Sequence, residues 1–316
     1  MIIYNMYVDV IIPTYKPDDK FIQLIEGLEK QSVLPFRIIV VNTEEELFYK
    51  NPGIKEVIDK YQNIKLLHIK KSEFDHGGSR SLGASYSDAD FLLFMTMDAI
   101  PSDKKLIEKL INQMMMDDKI AAAYARQLPG EDASLIEIYG REFNYPSVSV
   151  IKSREDIEKL GVKTFFCSNV CAMYRAEIFR ARGGFNKHMI FNEDMVYAGN
   201  AVLDGYKIAY CADATVIHSH NYSAMQQFRR NFDLGVSQAD HPEIFELAKS
   251  EGEGIKLVKG TIRYLIKHRG IHKIPYFCMN CGFKLLGYKL GKNYKKLSEK
   301  RIYRYTSNKE YWRSVE

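Results

Sequence analysis

The sequence predicts an α/β protein with a mostly parallel sheet that carries helices on both faces. Through its first half, short β-branched or aromatic runs alternate with amphipathic segments of helical period, as in parallel strands joined by helical crossovers. The composition, 46% hydrophobic and 27% charged, is ordinary for a globular chain. These observations exclude a disordered or fibrous protein.

Runs rich in valine, isoleucine, leucine and phenylalanine predict the buried strands, at residues 8–13, 36–42, 64–69, 91–96 and 120–124. The segments between them have apolar residues three or four positions apart and predict helices, at residues 20–31, 54–61, 79–86 and 103–116. Ligands of such sheets bind beyond the carboxyl ends of the strands. We therefore expect the functional residues at that edge.

The second half is expected to complete the sheet and end in a separate segment. Residues 133–163 are less regular and contain tyrosines and phenylalanines that would suit a flap or an acceptor surface, but their role is not readable from this stretch alone. Further strands are predicted at residues 169–174, 208–210 and 215–218, with helices starting at 176, 192 and about 223. We divide the chain into a body, residues 1–254, and a C-terminal segment, residues 255–316. This segment is predicted as amphipathic helix broken at Gly270, Pro275, Gly282, Gly287 and Gly291.

Charge is distributed unevenly between these two parts. The C-terminal segment has 16 lysines and arginines against three glutamates, a net charge of +13, which leaves −8 for the body out of a total of +5. Basic amphipathic helices suit an anionic membrane surface or a nucleic acid, and packing of this segment against the acidic body would also explain its charge. Because a groove-reading motif is missing and the body is acidic, nucleic acid is the weaker alternative.

The chain is expected in the cytoplasm, peripheral to the inner face of the plasma membrane. It lacks the run of about 18 apolar residues that a membrane span requires, and its five cysteines are an odd number that does not suggest a disulfide framework. The spacing of His268, His272, Cys278 and Cys281 resembles a zinc site in reversed order. A basic amphipathic surface explains the same residues more simply.

Polar clusters follow three of the predicted strands, at residues 13–15, 74–80 and 96–99. In the second cluster, two glycines allow a ligand to approach a helix N-terminus, which favours phosphate, and Arg80 adds a charge-assisted contact. An ordinary turn and helix start would explain the same residues. Neither a P-loop nor a GxGxxG motif is present, which argues against common nucleoside triphosphatases and dinucleotide enzymes.

Carboxylates and histidines supply the other candidate groups. Asp98 follows a buried strand and is a candidate ligand for a divalent cation bound to a diphosphate. Alternatively, it caps a helix. Of Glu193 and Asp194, one is a candidate general base, although acidic residues also simply favour a helix N-terminus. His218 and His220 point to the same side of a strand. One of them is expected to complete a metal site with Asp98.

Taken together, these segments resemble the family 2 glycosyltransferases of the GT-A fold, and among them the bacterial rhamnosyltransferase-like branch. Residues 10–15 resemble the family's nucleotide-binding strand, and residues 74–83 resemble the branch's nucleotide-contacting segment. Residues 96–99 stand in place of the metal-binding Asp-x-Asp motif. Residues 192–194 resemble the Glu-Asp motif, whose second member is the catalytic base, which favours Asp194 over Glu193. Residues 226–230 resemble the Gln-x-x-Arg motif.

The resemblance implies an inverting transfer from a nucleotide diphospho-sugar, expected to be dTDP-β-L-rhamnose, to a hydroxyl of a growing cell-surface polysaccharide linked to undecaprenyl diphosphate. It implies Asp194 as the base beside Glu193, and Mg²⁺ or Mn²⁺ held by Asp98 with His218 or His220. A homo-oligomer is left open. The implied nucleotide-sugar-binding residues are Pro13, Thr14, Tyr15, Asn42, Asp75, Gly77, Arg80, Met97, Asp98 and Arg229.

The chain departs from the family pattern at two places. Residues 42–44 read Asn-Thr-Glu where Asp-Asp-Gly is usual, and Thr96 replaces the first aspartate of the metal motif. A single aspartate weakens the expected metal site unless a histidine contributes. A non-catalytic GT-A scaffold is therefore the alternative to an enzyme.

Overall fold

The computed structural model describes residues 6–247 and 252–313, and in these residues nine strands form one sheet. Residues 1–5, 248–251 and 314–316, which belong to the predicted body and C-terminal segment, lie outside the described residues. The strands are β1 Val8–Tyr15, β2 Arg37–Thr43, β3 Ile64–Ile69, β4 Phe91–Met95, β5 Ile100–Pro101, β6 Ile120–Leu128, β7 Val150–Lys152, β8 Cys171–Arg175 and β9 Lys207–Ile217.

The strand order is β3-β2-β1-β4-β8-β6-β9-β5, and β7 pairs with β9. β1, β2, β3, β4, β6 and β9 run in one direction, whereas β5, β7 and β8 run in the other. β8 lies antiparallel between β4 and β6, with Cys171 opposite Met95. The beginning of β8 therefore meets the carboxyl ends of its neighbours at one edge. The predicted mostly parallel sheet is confirmed.

Helices connect the strands and complete the C-terminal segment. They are α1 Asp19–Leu28, α2 Glu45–Phe48, α3 Pro52–Lys60, α4 His76–Ser85, α5 Leu106–Met114, α6 Leu135–Asn144, α7 Ile157–Leu160, α8 Ala176–Ala181, α9 Glu193–Leu203, α10 Ala224–Asp240, α11 Pro242–Phe245, α12 Glu253–Lys267, α13 Ile274–Lys292, α14 Glu299–Tyr305 and α15 Lys309–Arg313.

The two faces of the sheet bury separate apolar cores. Successive side chains of a strand point to opposite faces. Accordingly, Val10 and Ile12 of β1 pack with α1, α3 and α5, while Ile11 between them packs with α4, α8 and α9. The prediction of helices on both faces is confirmed.

Two sequence predictions fail in the middle of the chain. Residues 133–163 are more regular than predicted, because they form α6, β7 and α7; α6 buries none of its residues, although its apolar side chains recur at helical spacing. The strands predicted at residues 208–210 and 215–218 are one strand, β9. The register against β6 jumps from Cys211 to Thr215, and this bulge explains the apparent gap.

The predicted breaks at Gly282, Gly287 and Gly291 are wrong, because α13 runs through all three. A β-carbon at Gly287 or Gly291 would collide with the carbonyl oxygen of Phe228 or Phe232 of α10. These glycines thus allow the two helix backbones to approach closely. Pro275 does not break the helix either, because it occupies the first turn, where its missing N–H is not needed.

Asp233 of α10 binds the chain that follows α14. Its buried carboxylate accepts hydrogen bonds from Thr306 Oγ1 at 2.7 Å and from the backbone N–H of Ser307 at 2.8 Å. Every helix in the described residues is too short or too polar to cross a lipid bilayer. Through the Asp233 contact and the close approach of α13, the basic segment packs against α10 along much of its length.

Gly291→Ala should lower the free energy of unfolding by about 1–3 kcal/mol, because the added methyl group forces α13 away from α10. Gly282→Ala is the matched control on the same helix, since a β-carbon there meets open space. The control should leave stability unchanged or raise it by up to about 1 kcal/mol. Urea unfolding of both variants tests this. Equal midpoints would contradict the close helix contact.

Candidate active site

A pocket of about 430 Å³ opens at the edge where β4, β6 and β9 end and β8 begins. The chain reverses or turns into a helix at each of these points, so side chains from distant parts of the sequence meet there. α4, α9 and α10 close the other sides. Residues that line the pocket include Arg80, Asp98, Gln127, Asn169, Glu193, Asp194, His218, His220 and Arg230.

Asp98, His218 and His220 form a cluster whose ligand atoms all lie within 4.8 Å of one another. Nε2 of His218 is 3.5 Å from Asp98 Oδ1, and Nε2 of His220 is 3.2 Å from Asp98 Oδ2. Burial lowers the pKa of His218 to about 3 and also lowers the pKa of His220. Both imidazoles are therefore neutral at physiological pH, the form that binds metal.

Gln127 fixes the orientation of His218. Its Oε1 lies 3.0 Å from His218 Nδ1 and also accepts a hydrogen bond from Arg141. Because this oxygen only accepts, Nδ1 carries the proton, and the Nε2 lone pair faces His220 Nε2 at 3.0 Å with Asp98 next to it. The Gln127 amide nitrogen in turn donates to Tyr145 and Ser168. Partners of this kind orient metal ligands.

The donor set fits a divalent cation. One carboxylate and two neutral imidazoles suit Mn²⁺ better than Mg²⁺, because Mg²⁺ prefers oxygen ligands and imidazole nitrogen favours transition metals. The predicted metal residues are thus placed together, and both histidines belong to the cluster.

Arg80 and Glu193 form a buried ion pair across the pocket, with Nη1 of Arg80 3.2 Å from Glu193 Oε1. Asn169 donates from its side chain to the same oxygen at 3.1 Å. Burial opposes ionisation of Glu193, but the charge of Arg80, the adjacent His76 and the hydrogen bonds from Asn169 and the Glu193 backbone together outweigh burial and hold the pKa of Glu193 below its ordinary value. Glu193 is therefore a stable anion committed to Arg80.

Asp194 has a different environment, although it follows Glu193 directly. Its Oδ2 accepts the backbone N–H of Asn169 at 2.9 Å, and its Oδ1 accepts that of Met195 at 2.8 Å. Burial and the adjacent Glu193 charge raise the pKa of Asp194 to about 7. A carboxyl group with this pKa can take up a proton near neutral pH.

The turn before α9 sets the orientations of the Glu193 and Asp194 side chains. Asn192 adopts a left-handed conformation with φ of 62°, which asparagine tolerates better than most residues. Its side-chain amide lies 3.4 Å from Ser237 Oγ of α10. The first turn of α9 is thereby fixed beneath the start of β8.

Arg230, not Arg229, faces the pocket. Arg229 is exposed, whereas the guanidinium of Arg230 lies 5.3 Å from the Phe191 ring centre and 4.8 Å from that of Tyr222. Reading the Gln-x-x-Arg spacing one residue later, from Gln227, would have identified it.

The residues predicted at β1 and β2 lie at the same edge of the sheet but do not line this pocket. Thr14 Oγ1 donates to Asn42 Oδ1 at 3.1 Å, and the Asn42 amide lies 3.0 Å from His68 Nδ1. Pro13 is half-buried and Tyr15 is exposed. Met97 packs against the core beside Asp98.

Asp75 and Gly77 hold the backbone near the start of α4. Asp75 caps the helix through Gly78 N–H and also accepts the Met189 N–H at 2.8 Å. A β-carbon at Gly77 would collide with the carbonyl oxygen of Asn186. These contacts supply a structural reason for both residues, and neither lines the pocket.

The chain matches a family of known proteins. Residues 9–183 match the family described as Glycosyl transferase family 2. The chain belongs to this family. It is 38% identical to O-antigen chain rhamnosyltransferase RfbN of Salmonella typhimurium over 98% of each chain. It is 37% identical to O-antigen chain rhamnosyltransferase WbaN of Salmonella anatum, over 97% of this chain and 96% of that one.

Solved structures of glycosyltransferases share the fold of this chain. Mannosyltransferase PcManGT of Pyrobaculum calidifontis, in complex with GDP-Man and Mn²⁺, superposes with a TM-score of 0.63 at 11% identity, over 93% of this chain and 89% of that one. Residues 1–349 of TarS from S. aureus superpose with a TM-score of 0.53 at 14% identity over 92% of each chain. The predicted GT-A fold and the nucleotide-sugar-dependent glycosyltransferase are confirmed.

In this glycosyltransferase, Asp98→Ala should abolish Mn²⁺ binding at the cluster, and Gln127→Ala should weaken it by about 10–100-fold because His218 loses its orienting partner. Titration followed by the electron paramagnetic resonance of free Mn²⁺ measures both. Asp88→Ala, at a carboxylate whose side chain is 98% exposed, is the control. Wild-type affinity in Asp98→Ala would exclude the cluster as the metal site.

Proposed function

We propose that this glycosyltransferase transfers L-rhamnose from dTDP-β-L-rhamnose to a hydroxyl of a growing bacterial cell-surface polysaccharide, with inversion at the anomeric carbon. The observation that carries the mechanism is the Asp194 carboxyl group, held in the pocket wall with a pKa of about 7. The choice of sugar is supported by the two relatives named O-antigen chain rhamnosyltransferases.

Asp194 acts as the general base. Two backbone N–H groups fix its carboxylate oxygens and leave each with a further lone pair. The acceptor hydroxyl transfers its proton to Asp194 while its oxygen attacks the anomeric carbon from the face opposite the diphosphate. The bond from that carbon to the diphosphate oxygen breaks, and the nucleoside diphosphate leaves with the bonding electrons. One displacement inverts the anomeric centre.

Positive charge for the leaving diphosphate comes from two sources. Asp98, His218 and His220 would hold a divalent cation, which would supply positive charge to stabilise the leaving diphosphate. Arg230 lines the same pocket, and no acidic group among the described residues pairs with it. Its guanidinium is therefore available to donate hydrogen bonds to phosphate.

The exposed surface of α12 and α13 is proposed to contact the anionic inner leaflet, where an acceptor linked to undecaprenyl diphosphate would be located. Large apolar side chains are exposed there among lysines and arginines: Ile266, Ile271, Met279, Leu285 and Leu286. The apolar groups enter the headgroup region, while each nearby cation contributes about 1 kcal/mol against anionic lipid.

Transfer from labelled dTDP-β-L-rhamnose tests the proposed function. The purified enzyme with Mn²⁺ should label lipid-linked glycans extracted from the organism that encodes it, and release dTDP. UDP-GlcNAc and GDP-mannose serve as competing donors. Preferred use of either would overturn the choice of rhamnose, and no transfer from any donor would overturn the enzyme reaction.

Asp194→Asn should reduce kcat by roughly 10²–10⁴-fold while donor binding is retained, because the amide keeps the shape but cannot accept the proton.

In the wild type, Asp194 is protonated below its pKa. The value of kcat/KM should therefore fall tenfold per pH unit below about pH 7.

Glu193→Gln is the informative control for the same assignment. Removing the adjacent negative charge lowers the pKa of Asp194, so the acid limb should move to lower pH. If the acid side of the kcat/KM profile lay at the same pH in Glu193→Gln as in the wild type, a group other than Asp194 would be responsible for the titration.

Anionic vesicles should bind the protein at low salt, whereas neutral vesicles should not. Leu285→Ser with Leu286→Ser should reduce binding at least tenfold, because the side chains that enter the lipid are lost. Leu34→Ser changes an equally exposed leucine of the body and should have no effect. Sedimentation with vesicles of phosphatidylglycerol or phosphatidylcholine measures this. Equal binding by all variants would contradict the proposed surface.

A further inference from the structure

A second cavity, of about 520 Å³, adjoins the catalytic pocket. One wall is α6, and the opposite wall is formed by α12 and α13. Arg141, Tyr145, Phe166, His220 and Tyr222 line both cavities. The two spaces therefore meet at these five side chains, and the second, the α6–α13 groove, places a ligand beside the proposed base and the donor sugar.

The groove has the chemistry of a site for hydroxyl-rich ligands, because aromatic rings line it together with amide groups and the charged side chains of Glu137, Arg141 and Lys284. Tyr222, Tyr276 and Phe277 offer aromatic rings, which pack against the apolar faces of sugars, and amide side chains are interspersed with them. Asn280 is 92% buried, and its Oδ1 has no hydrogen-bond partner among the described residues. A buried unpaired acceptor costs free energy that a ligand hydroxyl would recover.

The groove has a direction relative to the active site. Phe283 of α13 contacts Phe228 of α10 with ring centres 6.5 Å apart, and α10 begins just after Tyr222. The end of the groove near Lys284 therefore lies beside the catalytic pocket. Tyr276, two turns away and about 12 Å along the helix, marks the outer end, near the exposed Ile271 and Met279.

We infer that the α6–α13 groove binds the acceptor as a chain of several sugars, with its reactive end at Asp194 and its lipid-linked end leaving past Tyr276. This inference rests on the proposed function. The helix face is too long for one sugar ring to fill, which favours an oligosaccharide. Asn280 is assigned as a specificity-determining residue that accepts a hydrogen bond from one of the sugar hydroxyls.

A steric block tests the groove without disturbing the fold. Gly140 of α6 lines the groove, and a β-carbon there meets open space. In Gly140→Trp, the indole should fill the groove and lower the ratio of rhamnosyl transfer to hydrolysis of dTDP-β-L-rhamnose at least tenfold. Asp88→Trp is the control, since that side chain is 98% exposed and lines neither cavity. It should keep the wild-type ratio.

Asn280→Leu should raise the KM for the extracted lipid-linked glycan about tenfold with little change in kcat, since the substitution removes a binding contact remote from the reacting atoms. Thermal unfolding of each variant identifies any loss of folding. Wild-type transfer in both Gly140→Trp and Asn280→Leu would overturn the groove while the proposed function stands. A wild-type protein that neither hydrolyses nor transfers would instead overturn the proposed function itself.

Discussion

The buried ion pair between Arg80 and Glu193 is the contact on which the organisation of the site depends. It joins α4 to α9 across 113 positions of sequence. Burying two charges offers little net stability, but removing one partner of such a pair typically costs about 3–5 kcal/mol. Because Arg80 is committed to Glu193, Asp194 has no cation of its own. Two neighbouring carboxylates thereby acquire opposite properties, one permanently charged and one able to exchange a proton.

The reversed strand β8 is the second constraint, because it brings Asn169 to the edge where its neighbours end. Asn169 contacts both carboxylates, Glu193 through its side chain and Asp194 through its backbone. A parallel strand in this position would have placed Asn169 at the opposite edge. The sheet topology thus supplies an oriented amide next to the proposed base, Asp194.

Much of the fold and part of the site could be predicted because the relevant signals are local. Asp98 ends a buried run, and Glu193 and Asp194 open a helix, so each was recognisable from its immediate neighbours. Asn169 was missed because strand direction depends on long-range pairing.

Arg230 was missed because the helix face that α10 turns to the pocket is set by its packing against α13. The glycines of α13 were misread for a related reason. Glycine in a sequence signals a break as readily as a close helix contact, and only the partner helix distinguishes the two.

The close contact of α10 with α13 also fixes the distance between the basic segment and the catalytic pocket. α10 carries Arg230 in its second turn and packs closely against α13 at Gly287 and Gly291, so the basic segment is held at a set position relative to the catalytic pocket. If the surface of α13 rests on a bilayer, the height of the pocket above the lipid is fixed. A glycan too short to span that height would not reach the proposed base. The packing of α10 against α13 would then set the minimum length of the acceptor.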